Sequence, residues 1–121
     1  MKVTIYHNPR CSKSRQCLQL LRDQGVEPEI VEYLKTPPTV AELDTVLKLM
    51  DLEPRAAMRR KEPPFKDRNL DDAALDRKAL LEAMVADPVL IERPIVVVDR
   101  DGTRSARMGR PPEAVLEILT A

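Results

Sequence analysis

The sequence predicts an α/β domain interrupted by a helical insertion at about 37–88. Three patterns point to it. Residues 2–34 read strand–helix–strand, a series of helical signals follows from Pro37 to Pro88, and residues 94–119 read strand–strand–helix. No repeat, linker or low-complexity tract breaks the chain, so one domain over residues 1–121 is expected.

Each element has a local reason. In residues 2–7, Val3 and Ile5 alternate with Thr4 and Tyr6, the period of a half-buried strand. Asn8-Pro9-Arg10 stops that strand, because Pro9 restricts the residue before it. A helix from about Ser12 to Gln24 carries Cys17, Leu18, Leu20 and Leu21 as its apolar stripe, with Gly25 to end it. Glu29–Leu34 reads as a second strand. Thr39 and Glu42 have capping-box spacing, and Val40, Leu43, Val46, Leu47 and Met50 follow at helical intervals. Pro54–Arg60 suggests a short helix, residues 61–70 a polar loop broken by prolines, and Asp71-Asp72 the head of a helix that ends at Asp87-Pro88. The run Pro94–Val98 suits a strand covered on both faces, Asp101-Gly102 is a hairpin turn, and Thr103–Arg107 pairs back. Pro111-Pro112 opens the last helix, with Val115, Leu116, Ile118 and Leu119 facing inward.

Composition narrows the function. The 121 residues carry 20 Lys+Arg against 20 Asp+Glu, so no bulk cationic field grips nucleic acid. Only Tyr6, Tyr33 and Phe65 could stack on bases. No apolar run approaches the roughly 18 residues of a membrane span. The first ten residues lack a signal peptide's apolar core, and a cytoplasmic location is the expectation. Two cysteines and one histidine make no plausible metal-ligand set, so no metal is expected. Of the basic residues 13 are Arg, whose planar fork suits oxyanions.

The chemistry concentrates at Cys11, where the first strand turns into the first helix. Unpaired amides at a helix start stabilise a thiolate and can seat an anion. Arg10, Lys13 and Arg15 add positive charge, His7 lies four residues before the thiol, and Ser12 and Ser14 offer hydroxyls. The competing reading is a packed structural cysteine. Cys17 reads as core: six helical residues span about 9 Å, beyond the roughly 7 Å that a disulfide allows. A lone reactive thiol must borrow its partner thiol from outside.

The segment IYHNPRCSKSR at 5–15, with ERPIVV at 92–97 and GRPPEAVLEIL at 109–119, resembles the glutaredoxin-linked arsenate reductases (ArsC-like), nearest to a less characterised branch with the PRCSKSR form. The resemblance covers nearly the whole chain. It implies a thioredoxin-like fold with a mixed four-stranded sheet, and reduction of arsenate to arsenite through a covalent cysteine thio-arsenate. Cys11 is then the nucleophile, and Arg59, Arg93 and Arg110 bind the substrate oxyanion. His7, Ser14 and Arg15 support the thiol, and Pro94 is the fold's cis-proline. Arg60 stays open as the alternative to Arg59, and Arg107 as the alternative to Arg110. The helical arginines could equally be solvated surface charges, and Arg93 could be half of an ion pair with Glu92. The resemblance implies no bound cofactor, glutathione as co-substrate and glutaredoxin as partner; a monomer is the default expectation. Two other readings remain: a different glutathione-dependent thiol oxidoreductase, and a non-enzymatic regulator like the Spx-type factors. The regulator's Cys-x-x-Cys motif would need a cysteine where Ser14 stands. Phosphatase-like arsenate reductases are disfavoured, because their Cys-x5-Arg spacing would need an arginine where Cys17 stands.

Overall fold

The computed structural model describes residues 1–119. The chain forms two compact units, Met1–Thr36 together with the segment from Arg93 onward, and Pro37–Glu92. Among the described residues no helix is long and apolar enough to cross a membrane.

The first unit is built on β1 (Lys2–His7), α1 (Ser12–Asp23), β2 (Glu29–Glu32), β3 (Ile95–Arg100) and β4 (Thr103–Met108). The sheet order is β2-β1-β3-β4. β1 runs parallel to β2 and antiparallel to β3, and β3 runs antiparallel to β4. This mixed sheet with its helices is the thioredoxin-like fold. Val3 and Ile5 of β1 and Val96 and Val98 of β3 pack with Cys17, Leu21 and Val115 into one buried cluster. Each fully buried aliphatic side chain there contributes about 1.5–3 kcal/mol. All of Ile95–Val98 is buried, as expected of a strand covered on both faces.

The turns follow residue chemistry. Gly25 sits at φ +78, and the Gly25 and Val26 amides donate to the Arg22 and Leu21 carbonyls at 2.9 and 3.0 Å, closing α1 with a Schellman motif. Asp101 and Gly102 both have positive φ, as the tight turn between β3 and β4 requires.

Three differences from the sequence pattern concern this unit. β2 stops at Glu32 rather than Leu34, because the Lys35 and Thr36 amides both donate to the Glu32 carbonyl at 2.9 Å and turn the chain. Tyr33 is buried in that turn, whereas Leu34 is exposed. The C-terminal helix begins as a 3-10 turn at Pro112–Val115 and becomes α-helical only over Leu116–Leu119.

The second unit packs α2 (Val40–Leu49) with α4 (Arg77–Ala86) through Leu43, Val46, Leu47, Leu80, Leu81 and Met84, all buried; α3 (Pro63–Asp67) lies between them in sequence. The Thr39 capping box is present, with Glu42 donating its amide to Thr39 Oγ1 at 3.1 Å. The Asp44 carboxylate accepts from Arg77 Nε at 2.7 Å and lies 2.9 Å from Lys48 Nζ. Both partners hold it below its ordinary pKa.

Here the sequence pattern needs correction at three places. Only Pro54–Ala57 is helical, as a 3-10 turn, because Met58 leaves it to form a bridge with Ile91. The segment 61–70 is not simply a loop: Pro63 and Pro64 open α3, since proline at a first turn gives up only amides that have no helical partner. Asp71-Asp72 does not head α4. Asp76 does, its carboxylate accepting the Ala79 amide at 2.9 Å.

Candidate active site

The site begins where β1 becomes α1. Asn8 precedes Pro9 and is buried. Its carbonyl accepts the Cys11 amide and its side-chain Oδ1 accepts the Arg10 amide, both at 3.0 Å. These bonds fold residues 8–11 into a tight corner and put Cys11 at the N-cap of α1, with extended backbone. Cys11 is half-buried. Burial alone pushes its thiol pKa up. The Ser14 amide, the Arg93 guanidinium and the Lys13 amide outweigh that cost and hold it below the ordinary value. The Cys11 side chain itself makes no capping hydrogen bond to α1, but the helix's second and third amides and the Arg93 charge favour its anion. The sulfur is therefore biased toward thiolate, the nucleophilic form.

Ser14 serves three neighbours. Its amide favours the Cys11 anion, while its buried Oγ lies 2.6 Å from His7 Nδ1 and accepts the Asn8 amide at 3.1 Å. Desolvation, chiefly, lowers the His7 pKa, so the neutral imidazole is favoured, and its Nδ1 can then accept the Ser14 hydroxyl proton. Arg15 takes another part: its Nη1 donates to the Pro9 carbonyl at 2.9 Å and braces the corner.

Arg93 and Arg110 arrive from the strands beyond the helical excursion. The Arg93–Pro94 and Arg110–Pro111 peptides are both cis, and Pro94 is fully buried. Arg110 Nη1 donates to the Arg93 carbonyl at 3.1 Å, which links the two arginines directly. Arg107 faces elsewhere, its Nη2 lying 3.0 Å from Glu117 in α5 (Leu116–Leu119).

Arg59 belongs to the helical unit. Its amide donates to the Leu90 carbonyl at 2.7 Å, and its guanidinium lies between Glu92 (2.9 Å) and Glu62 (3.4 Å). It is a held, part-buried side chain in irregular backbone, whereas Arg60 is half-exposed, stacks over Phe65 and lies 3.8 Å from Asp71. Thus Cys11, His7, Ser14, Arg15, Arg93, Pro94 and Arg110 all lie in the sheet unit, and Arg59 lies in the other.

Sequence reasoning read Asn8 only as part of the turn that stops the strand and missed that its carbonyl and side chain hold the corner. An Asn-Pro step before a helix start is the signal that could have found Asn8. Cys17 is fully buried, and desolvation pushes its thiol up to about 12. Among the described residues no three His, Cys, Asp or Glu side chains are grouped to hold a metal ion.

Fold and corner together define a thioredoxin-like protein with one activated thiol beside paired arginines. Comparison with known proteins gives the family: the model described as the ArsC family matches residues 6–118, and the chain belongs to that family. It is 53% identical over 119 residues to the uncharacterized protein YfgD of Escherichia coli K12, spanning 98% of this chain and 97% of that one. It is 47% identical over 119 residues to a protein named arsenate reductase from Rhizobium meliloti, spanning 98% and 82% of the two chains. The solved structure of an arsenate reductase from Vibrio cholerae matches with a TM-score of 0.91 at 53% identity, covering 98% of each chain.

Proposed function

We propose that this protein reduces arsenate to arsenite through Cys11, using glutathione as co-substrate and glutaredoxin as partner. The observation that carries the reading is the Cys11 corner, where the thiol stands at the N-cap of α1 and the helix-start amides with the Arg93 guanidinium favour its thiolate. A tetrahedral oxyanion is the ligand such a corner suits, because amides, helix dipole and guanidinium all favour negative charge.

In the proposed sequence Arg93 and Arg110 hold arsenate, with Arg59 as third ligand on the strength of its sequence motif. The Cys11 thiolate attacks arsenic and an arsenate oxygen leaves as water after protonation, giving a thio-arsenate still at As(V). Glutathione attacks arsenic in that adduct and a second oxygen leaves as water, so arsenic carries both sulfurs. The glutaredoxin thiolate then takes the glutathione sulfur as a mixed disulfide, leaving the electron pair of the broken As–S bond on arsenic, and water hydrolyses the remaining Cys11 S–As bond to release arsenite and the thiol. The two electrons that arsenic gains come from the two thiols that end in the disulfide. The arginines stabilise charge on the oxyanion during attack. External thiols are needed because Cys17 is buried, protonated and too far along the helix to bridge Cys11. This chemistry fits a monomer in a reducing compartment such as the cytoplasm.

The test is a coupled assay with arsenate, glutathione and glutaredoxin, omitting each in turn. Turnover should require all three and should vanish in Cys11→Ser. Turnover of a mixed glutathione disulfide without arsenate turnover would instead support a general thiol oxidoreductase.

A further inference from the structure

Cys17 and Gly109 are not used by the chemistry above, yet they pack close to each other beside Pro94, the residue that follows Arg93. The β3–β4 ladder ends with Ile95 opposite Met108, and Gly109 continues it by donating its amide to the Pro94 carbonyl at 2.8 Å. Gly109 is buried. A Cβ there would lie 2.7 Å from Pro94 Cγ and 3.0 Å from Cys17 Sγ. Neither neighbour can swing away, because one is a closed ring and the other a short, fully buried side chain. The other two glycines differ: Gly25 and Gly102 have positive φ and open space around the missing Cβ. They are needed for conformation, whereas Gly109 is needed for room.

That room lies between the two arginines in the chain. Arg93 precedes Pro94, Arg110 follows Gly109, and Arg110 Nη1 closes the loop on the Arg93 carbonyl at 3.1 Å. We propose that Gly109 is a positioning residue: its missing side chain leaves room for Pro94 on one side and Cys17 Sγ on the other, and the undisturbed seat of Pro94 sets where Arg93 and Arg110 stand with respect to Cys11. The inference deepens the oxyanion-binding reading and rests on it only for the substrate measurement. A side chain at 109 pries the ladder end from Pro94 and displaces the guanidinium that favours the Cys11 anion. Cys17 acts as the floor of the stack and takes no part in electron transfer.

The test compares Gly109→Ala with Gly102→Ala in the full chain, reading the pH midpoint of Cys11 alkylation by iodoacetamide and the arsenate KM and kcat. Folding is checked by circular dichroism. Gly109→Ala should raise the midpoint by about half a unit, slowing alkylation about threefold at pH values well below it, and should raise KM. Gly102→Ala should cost stability and leave the midpoint alone. Adding Cys17→Ala to Gly109→Ala makes space below and should return the midpoint part of the way. If Gly109→Ala alone does not fold, the double variant and Cys17→Val, which presses on Gly109 from below, carry the measurement. A native midpoint in any folded variant crowded at this stack overturns the proposal. The midpoint is read without arsenate. Loss of the arsenate reading with a shifted midpoint therefore removes the substrate and keeps the positioning role.

Discussion

Two cysteines six residues apart in one chain segment have opposite fates. Cys11 stands at the N-cap of α1, where the Ser14 and Lys13 amides and Arg93 favour its anion, and its pKa falls; Cys17 is fully buried further along the same helix, and its pKa rises to about 12. The side chains are identical, so the environment alone makes one a nucleophile and the other packing material. Burial acts on both. At Cys11 three hydrogen-bonding groups outweigh it, and at Cys17 nothing opposes it.

The largest effect should come from exchanging the two. Cys11→Ser removes the thiolate and should abolish arsenate turnover, while Cys17→Ser should keep most of it. Activity lost in Cys17→Ser alone, with the fold intact, would break the contrast. Next is Arg93→Ala, which removes the guanidinium from Cys11 and from the oxyanion together. A fall in kcat/KM of about 10²–10³ is expected by analogy with the loss of one oxyanion donor, and a near-native value would show that Arg93 is not a ligand.

Smaller effects concern stability. Cys17→Ser places a hydroxyl in apolar packing and should cost about 1–3 kcal/mol in urea unfolding. Because its folded pKa is raised, Cys17 contributes stability below the ordinary thiol value that is lost as pH climbs toward about 12. Cys17→Ala should flatten that alkaline limb. His7 has the opposite sign: its pKa is lowered from 6.5, so its contribution is present above that value and is lost as pH falls below it. A His7→Gln variant should lose some of the acid-side slope.

How far this contrast was legible in the sequence differs by element. The strand β1, the stripe of α1 and the Asp101-Gly102 turn depend on local pattern and could be read directly. So could Cys11, because a strand, an Asn-Pro break and a helix start are all local signals. The insertion was harder. Prolines 63 and 64 read as breakers yet open a helix, and three nearby aspartates could each have capped α4 until packing selected Asp76. The Glu92 partner of Arg59 was invisible, since it lies 33 residues away in sequence. The space requirement at Gly109 was invisible too, because it arises where α1, β3 and β4 converge.

The most direct measurement of the central claim is a pH titration of thiolate absorbance in a Cys17→Ala protein, which leaves Cys11 as the single thiol. The expected midpoint lies clearly below the free-thiol value of about 8.5 and moves up when Arg93 is replaced by Ala. A midpoint at or above that value, unmoved by the Arg93 substitution, would contradict the account.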